Sequence, residues 1–375
     1  MAFSSLALKR FARVLILSIL IRLGSDGNEW FSKSLLGLIR VGFEPVRKIQ
    51  ALPSITPYKY GADSAFCISI DFDVTKESRR IPNALGTRAT VELAEKHNIP
   101  MTWAICGEAA AEQPKEIGLI RNSTIGHEIG IHTYTHLDMS LPSTSPELVE
   151  SEIGRCFELL NIKNGLKTFI FPWNKIGHFG TLSNLGFTTY RGADRKLRYP
   201  VEENGLWNIS PLYYVDAKSE GASKLMKMYV DLAIAYRSVC HIWFHPWSVV
   251  VGSDDKFARK TLDPLLEYVQ KEGKKGKVWI CTLEELSTYC NAAKETSITT
   301  LEESSLAAKF AVRRSGPLML ETELTIEFPN LEGKAVESVE LNGESTKFSV
   351  TEDNKRLKVQ VPVGAHERIV EVNYR

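Results

Sequence analysis

Pairs of histidines and aspartates stand at spacings that suit a metal site. His132 and His136 are four residues apart, and Asp71 and Asp73 are two apart at the end of a short apolar run, residues 66–70. Alternation along a strand would direct both carboxylates to one side, where like charges repel unless a cation or a shared proton relieves them. Structural histidines and a solvated acidic turn that caps a helix are the alternative interpretation.

The segments that must position these residues alternate between strand and helix patterns. Short apolar runs predict strands at 66–70, 100–107, 128–131, 168–171, 187–190, 239–244 and 278–282. Helix patterns occur at 82–97, 109–121, 146–160, 177–185, 223–238, 263–272 and 283–289. Residues 195–222 show no clear pattern. This alternation predicts a parallel sheet with crossover helices.

Polar groups follow four of the predicted strands. They are the Asp71/Asp73 pair, the His132/His136 pair, the Pro172-Trp173 dipeptide and His245. Closed parallel barrels assemble their active sites at the carboxyl ends of the strands. This convergence favours a metal site over scattered structural histidines.

The overall composition restricts the classes of function. The 375 residues are 43% hydrophobic and carry a formal net charge of +1, with Lys and Arg spread along the chain. This length supports one large core and a smaller domain, and this charge predicts no nucleic-acid partner. The six cysteines include no Cys-x-x-Cys pair. We therefore expect a reducing, cytoplasmic compartment and no zinc–thiolate site.

The first 57 residues form a separate basic and apolar segment. An apolar run at 14–21 follows several basic residues, is too short to span a bilayer and is followed by no clear cleavage site. Residues 1–41 are interpreted as helices that pack on the main domain or make peripheral contact with a membrane surface. A cleaved signal is the third alternative. Pro53 and Pro57 predict a linker.

The motifs together resemble those of the polysaccharide deacetylases, the NodB-homology carbohydrate esterases. Their order is Asp-x-Asp, then His-x-x-x-His within 126–136, then Phe-Pro-Trp at 171–173, then a strand that ends in His245. The resemblance covers residues 62–290 and implies an α/β fold, a distorted (β/α)7-type barrel related to the closed eight-stranded kind. We accordingly assign 58–290 to a deacetylase-like catalytic domain.

The resemblance implies a metal site. Asp73, His132 and His136 would bind one divalent metal, most often zinc, and would leave an open position for water. Asp71 would be the general base that removes a proton from the metal-bound water, whose pKa the metal lowers.

The resemblance also implies how an acetyl group would be removed. The hydroxide would attack the acetyl carbonyl, and the metal together with the backbone N–H of Trp173 would stabilise the oxyanion. His245 would protonate the departing amine of the sugar. The products would be acetate and a free amine, or a free hydroxyl from an O-acetyl substrate.

One position departs from the family pattern. Many family members carry an arginine two residues before the proline of the third motif, where it orients the base carboxylate, whereas this chain has Ile170. Another residue could substitute, and the candidates are Arg191, Lys175, Arg195 and Asn174. Asp194 is the candidate for the acidic residue that steadies the arginine.

Other histidines and tryptophans near these motifs receive structural assignments. We expect His127 to bond within a turn and His241 to bond within the sheet. Trp173, Trp243 and Trp247 are expected either to pack in the core or to stack on the faces of sugar rings.

The C-terminal part, residues 296–375, predicts a different fold. Segments 324–328, 336–341, 357–361 and 369–374 alternate or run as short strands, and Asn342-Gly343 is a hairpin signal. These patterns predict a small β-sandwich that binds glycan or a partner, or covers part of the barrel.

We therefore expect a metal-dependent hydrolase that removes acetyl groups from N-acetylated or O-acetylated carbohydrate. Two alternatives stay open. Two histidines and an aspartate are also the ligands of non-haem Fe(II) oxygenases, which usually have an antiparallel jelly-roll fold that the strand–helix alternation argues against. A glycan-binding pseudoenzyme of the same fold would explain Ile170, although the intact Asp71 and His245 argue against it.

Overall fold

The computed structural model describes most of the chain. The described residues are 42–43, 52–73, 77–162, 167–216, 221–251, 254–316, 321–330, 335–351 and 355–375. The predicted helices within residues 1–41 lie outside them. Among the described residues, no helix combines the length and the apolar character that crossing a bilayer requires.

The described strands and helices have the following bounds. The first strands are β1 (Gly42–Phe43), β2 (Ser54–Ile55), β3 (Ser64–Phe72), β4 (Thr102–Ile105), β5 (Glu128–Ile131), β6 (Thr168–Ile170), β7 (Thr189–Arg191), β8 (Lys196–Leu197), β9 (Val201–Glu203), β10 (Leu206–Asn208), β11 (Tyr213–Tyr214), β12 (Val239–Phe244) and β13 (Val278–Ile280). The remaining strands are β14 (Thr296–Glu303), β15 (Ala307–Arg314), β16 (Thr322–Pro329), β17 (Val336–Leu341), β18 (Glu344–Ser345), β19 (Phe348–Val350), β20 (Arg356–Val363) and β21 (Arg368–Tyr374). The α-helices are α1 (Arg80–His97), α2 (Gly107–Glu112), α3 (Pro114–Arg121), α4 (Pro146–Leu159), α5 (Phe179–Asn184), α6 (Ala222–Tyr236), α7 (Lys256–Lys274) and α8 (Leu283–Glu295). Short 3-10 helices occur at Lys59–Gly61, Glu77–Arg79, Pro172–Asn174 and Pro246–Val249.

Residues 64–284 form one compact unit around a curled, mostly parallel sheet. Its strands are hydrogen-bonded in the order β11-β12-β3-β4-β5-β6-β7-β10-β9. In addition, β13 pairs with β3 as a branch from this order. The pairing is parallel throughout except between β10 and β9. From β3 to β7, each strand is followed by helix and then by its spatial neighbour, as strand–helix alternation predicts. The mixed α/β class is confirmed.

Strand β3 lies in the middle of this sheet, and all nine of its residues are buried. Ile70 and Phe72 belong to the main hydrophobic core. Because side chains alternate along a strand, Asp71 points to the opposite face. The core packing of Ile70 and Phe72 therefore fixes the position of the Asp71 carboxylate. Because a buried charge is costly unless it is paired, this carboxylate requires a partner.

Several predicted helices need correction at their ends. The helix predicted at 109–121 is two helices, because Pro114 begins α3 and its missing N–H cannot continue the ladder of α2. Helix α7 begins at Lys256 rather than 263 and continues through Pro264. Ser145 caps α4, since its side chain accepts a hydrogen bond from the Leu148 N–H at 3.3 Å.

Residues 52–63 and 285–375 form a second unit made of two antiparallel sheets. Their strand orders are β14-β15-β21-β17-β18 and β19-β20-β16-β2. The strands predicted between 324 and 374 are present, and Asn342 and Gly343, both with positive φ, form the predicted hairpin turn between β17 and β18. Strands β14 and β15 were not predicted. Most of β14 is exposed and rich in Thr, Ser and Glu, so it has no apolar alternation to recognise.

The predicted linker around Pro53 and Pro57 is wrong. Ser54 and Ile55 form strand β2, which pairs with β16 in the C-terminal unit. A pairing of two residues is too short to produce a recognisable alternation in sequence. The predicted catalytic segment 58–290 therefore starts too early, because residues up to 63 belong to the C-terminal unit.

A buried carboxylate ties the amino ends of two strands to a helix. The Glu128 Oε2 atom accepts hydrogen bonds from the Thr102 hydroxyl at 2.7 Å and from the Glu284 N–H at 3.0 Å, at the start of α8. The Thr102 hydroxyl in turn accepts from the Leu283 N–H at 3.0 Å. Burial raises the pKa of Glu128 to about 7, although these hydrogen bonds lower it.

We expect Glu128 to make the protein less stable as the pH rises from 5 to 8. The unfolded carboxyl ionises near its ordinary pKa of 4.5, whereas the folded one keeps its proton up to about pH 7, so folding binds a proton in this window and stability falls with rising pH. A shift of this size corresponds to a loss on the order of 2–3 kcal/mol. The Glu128→Gln variant should lose this part of the slope, measured as urea midpoints at both pH values. The exposed Glu267→Gln change on α7 is the control, and an unchanged slope in Glu128→Gln would refute the assignment.

Candidate metal centre

Two buried aspartates stand at the carboxyl end of β3. Asp71 is the penultimate residue of the strand, and Asp73 follows its last residue. Both side chains are buried. The predicted positions of both carboxylates, at the end of a buried strand in the sheet interior, are confirmed.

The two histidines project from the turn that follows β5. Thr133 and His136 adopt positive φ values of 57° and 60°, which bend the chain back on itself. The His132 Nδ1 atom lies 2.7 Å from the carbonyl oxygen of Ile170, so neutral His132 carries its proton on Nδ1 and has a free electron pair on Nε2. The two Nε2 atoms are 3.1 Å apart.

The structure brings together the three predicted metal ligands. One ligand atom each from Asp73, His132 and His136 lies within 4.8 Å of the others. Burial lowers the pKa of both histidines, that of His136 to about 4, so both are neutral and able to donate an electron pair at neutral pH. The carbonyl behind His132 orients its ring, as outer groups commonly do for histidine ligands.

Asp71 forms a bidentate ion pair with Arg191. The guanidinium Nη1 and Nη2 atoms each lie 2.6 Å from one oxygen of the carboxylate, and both side chains are buried. Burial alone would raise the pKa of Asp71, but the charge of Arg191, followed by the neighbouring His132 and the hydrogen bonds, holds it well below its ordinary value. Asp71 is therefore ionised.

Arg191 replaces the arginine that the family pattern places at position 170. Arg191 is on β7, and Ile170 on β6 is its direct register partner across the parallel pair. The guanidinium thus comes from the same level of the sheet, one strand away. It also contacts the Asn174 Oδ1 atom at 3.2 Å and lies 4.1 Å from the ring centroid of Trp243.

Two other residues considered from the sequence, Asn174 as a substitute for the family's arginine and Asp194 as its acidic partner, each contact an arginine in the structure. Asn174 contributes, but through Arg191. Asp194, the predicted partner of the arginine, instead pairs with Arg198 at 3.0 Å and accepts from the Ser210 hydroxyl at 3.1 Å. The Ser69 hydroxyl is a partner of Arg191, at 3.2 Å from Nη1.

His245 follows β12 and faces the same site. Its Nε2 atom lies 3.1 Å from the Asp73 Oδ2 atom, and its Nδ1 atom lies 3.1 Å from the Tyr214 hydroxyl. The indole of Trp247 stacks on the imidazole, with ring centroids 4.6 Å apart and planes inclined by 25°. The Trp247 Nε1–H donates to the Asp73 Oδ1 atom at 3.3 Å, so His245 and Trp247 together orient the aspartate.

Trp173 stands at the edge of the site and is 66% exposed. Its Nε1–H donates to the His136 carbonyl at 3.2 Å, and its ring packs edge-on against the His136 ring with centroids 4.5 Å apart. Core packing is therefore excluded for this tryptophan, and the face of its ring is available to solvent.

His241 bonds within the sheet, as predicted, whereas His127 bonds to the segment before β4 rather than within its own turn. The His127 Nδ1 atom accepts from the Met101 N–H at 3.2 Å. His241 bonds through Nε2 to the Ser69 hydroxyl at 2.8 Å and through Nδ1 to the Ile209 carbonyl at 3.1 Å. Both lie inside the sheet unit and serve its packing.

Comparison with known proteins identifies a family match for the segment that carries the aspartates and histidines. Residues 61–172 match the polysaccharide deacetylase family. The resemblance found in the sequence is confirmed over this segment, which contains both aspartates and both histidines of the site. Arg191, Tyr214 and His245 follow the matched segment.

Solved structures resemble this chain to different degrees. A provisionally named polysaccharide deacetylase from Mycobacterium smegmatis has a TM-score of 0.51 and 18% identity, over 70% of this chain and 100% of that chain. A second provisionally named polysaccharide deacetylase, from Pseudomonas aeruginosa PAO1, has a TM-score of 0.47 and 16% identity, over 63% of this chain and 93% of that chain. A CE4 family pseudoenzyme from Bacillus anthracis has a TM-score of 0.39 and 14% identity, over 60% and 65%. The first of these likenesses shows a common fold.

Within the matched segment, residues 61–172, nothing in the sequence indicated the role of Glu152. This buried residue of α4 accepts hydrogen bonds at its Oε2 atom from the N–H groups of Tyr134 and Thr135, at 2.9 and 2.7 Å, and from the Thr135 hydroxyl at 3.1 Å. It therefore fixes the turn between His132 and His136. An acidic residue in an otherwise amphipathic helix gave no signal of this role, because its partners are backbone groups of a distant turn.

We expect Glu152→Ala to weaken metal binding at the Asp73, His132 and His136 cluster without removing a ligand. Loss of a group that orients metal ligands commonly costs about 10–100-fold in metal affinity. Competition for zinc with a chelating dye would measure this. The exposed Glu150→Ala change on the same helix is the matched control. If both variants bind zinc like the parent, Glu152 does not set the geometry of the turn.

Proposed function

We propose that this protein is a metal-dependent hydrolase that removes acetyl groups from carbohydrate, with an N-acetylated sugar as the first candidate substrate and an O-acetylated one as the alternative. The observation that carries the proposal is the pairing of a buried, ionised Asp71 with Arg191 beside the Asp73, His132 and His136 cluster. A base next to three ligand atoms is the arrangement that hydrolysis of an amide or ester by water requires.

The three-residue cluster fits one divalent ion, for which zinc is our first choice. Asp73, His132 and His136 would hold it, because two neutral imidazoles and a carboxylate are ligands that zinc prefers, and three protein ligands are typical of its catalytic sites. When bound, such an ion acts as a Lewis acid and lowers the pKa of water.

Asp71 would act as the general base. Its low pKa keeps it ionised, so it can accept the proton of the water that attacks the acetyl carbonyl carbon. The bidentate contact with Arg191 fixes the plane of the carboxylate. Its orientation is therefore set before substrate binds, which reduces the cost of reaching the reactive geometry.

His245 and Trp173 would act on the other atoms of the substrate. The His245 imidazole would give a proton to the departing nitrogen as its bond to the acetyl carbon breaks, with Tyr214 holding the ring from the opposite side. The backbone N–H of Trp173 would donate to the oxygen that becomes negative. Water supplies the hydroxyl of acetate, and the sugar leaves with a free amine.

The proposal extends to architecture and location. We infer a distorted (β/α)7-type barrel for the sheet unit, in line with its strand order. For residues 296–375 we infer a β-sandwich, supported by the Phe310 and Phe328 rings of the two sheets, whose centroids are 4.7 Å apart. We infer a cytoplasmic location, which is supported by the six cysteines, all buried and none of them in a disulfide bond. Peripheral membrane contact through residues 1–41 is proposed from their basic and apolar sequence alone.

The test measures metal content and acetate release together on the purified protein, with a panel of N-acetylated sugars and chitooligosaccharides. One zinc per chain and release of acetate are expected. Failure to bind any divalent metal would refute the site assignment. Binding of metal and of glycan without acetate release would instead favour the glycan-binding protein without turnover.

A further inference from the structure

An arginine with no acidic partner among the described residues lies against Trp247, next to the site. Arg79 ends the short 3-10 helix that follows β3, and its side chain is exposed. Its guanidinium carbon lies 3.9 Å from the ring centroid of Trp247. Within the part of the chain that the structure describes, Arg79 forms no ion pair, even with Glu77 two residues away.

Trp247 connects this arginine to two residues of the site. The same indole stacks on His245 and donates a hydrogen bond to Asp73. Arg79 is thus separated from the imidazole and the carboxylate by one aromatic ring. A group attached near the reacting acetamido function could reach both the site and the guanidinium.

The charges of two other arginines, the adjacent Arg80 and the Arg191 of the site, are already compensated. Arg80, the next residue, pairs with Glu112 at 2.9 Å, and Arg191 pairs with Asp71. Arg79 differs because its contact is with a ring face. A guanidinium stacked in this way keeps its N–H groups in its own plane, where they can bind a carboxylate or phosphate in bidentate fashion.

We propose that Arg79, held by Trp247, forms an anion subsite that recognises a phosphate or carboxylate group carried by the acetylated sugar or by its neighbour in the substrate. The inference rests on the proposed deacetylase function and narrows its substrate class to anionic carbohydrate. Ring stacking fixes the guanidinium before binding, so that less side-chain freedom is lost when the anion arrives.

The test compares sugars that differ in charge. Binding of N-acetylglucosamine 1-phosphate, N-acetylmuramic acid and the neutral methyl glycoside of N-acetylglucosamine is measured by calorimetry in the Asp71→Asn protein, which prevents turnover. Arg79→Gln should weaken binding of at least one charged sugar about tenfold, as expected for loss of a charge-assisted hydrogen bond, and leave the neutral glycoside unchanged. Which charged sugar responds distinguishes phosphate from carboxylate.

Two further variants make the result specific to position 79. Arg80→Gln removes an adjacent arginine whose charge is compensated and should leave all three affinities unchanged. Arg79→Lys keeps the charge and should retain part of the preference. Because all the variants share Arg191 and the metal ligands, differences between them report on position 79.

Three outcomes would overturn the subsite. The first is an equal loss of affinity for neutral and charged sugars in Arg79→Gln, which would show that Arg79 only supports Trp247. The second is an unchanged affinity of Arg79→Gln for both charged sugars. The third is the absence of any preference for charged over neutral sugars in the protein that retains Arg79. Failure of the proposed function is separate. If no sugar releases acetate from the unmodified protein while binding of charged sugars still depends on Arg79, the anion subsite stands and the deacetylase proposal fails.

Discussion

Asp71→Asn should abolish most acetate release and leave the metal content unchanged. Asparagine keeps the shape of the side chain and can still accept a hydrogen bond from Arg191, but it cannot take a proton from water. Loss of a general base costs about 10²–10⁴-fold in rate. Acetate release and zinc per chain, measured on the same preparation, would show the two effects separately.

Asp73→Asn is the matched change, because it alters a carboxylate two residues away that faces the ligand cluster. It should lose metal and activity together. If Asp71→Asn instead keeps activity within tenfold of the parent, Asp71 is not the base. If Asp71→Asn loses its metal, Asp71 is a ligand and the roles of the two aspartates must be reassigned.

The sequence was sufficient to predict the residues that local motifs carry. Asp71 and Asp73 follow an apolar run that is consistent with a buried strand, and the spacing of His132 and His136 needs only one turn to bring their rings together. These spacings extend over only a few residues, so the predictions made from them do not depend on the order of the strands in the sheet. Strand–helix alternation predicted the parallel sheet for the same reason.

Contacts that depend on register could not be predicted in this way. Arg191 was one of four candidates to substitute for the arginine that the family pattern has at position 170. The pairing of β6 with β7, which places Arg191 beside Ile170, distinguishes it from the other three. Glu152 was missed because it binds backbone N–H groups of a turn 17 residues away in the chain. The strand at Ser54–Ile55 was missed because two residues form no pattern. In each case the missing information was which strand, turn or helix lies next to which.

Exchange of the residues at positions 170 and 191 should test this register directly. In Arg191→Ile, the buried Asp71 loses its cation, and breaking a buried ion pair by removal of one partner costs about 3–5 kcal/mol of stability. The misplaced carboxylate should also lower activity by about 10²-fold or more, since small errors in the position of a catalytic group have effects of this size.

The double variant Ile170→Arg/Arg191→Ile should recover at least tenfold of the lost activity and part of the stability. Register partners on adjacent strands direct their side chains to the same face of the sheet, about 4.8 Å apart, so the new guanidinium can reach Asp71 from the neighbouring strand. Acetate release, zinc content and urea midpoints would be compared among the parent, both single variants and the double variant.

Ile170→Arg alone is the control, because it adds a second buried cation with no free carboxylate and should destabilise the protein. If the double variant is no better than Arg191→Ile, the two positions are not equivalent and the base requires its arginine from β7. If Arg191→Ile alone is as stable and active as the parent, the ion pair does not orient Asp71. Recovery in the double variant would instead show that the site depends on a guanidinium at this level of the sheet, whichever of the two strands supplies it.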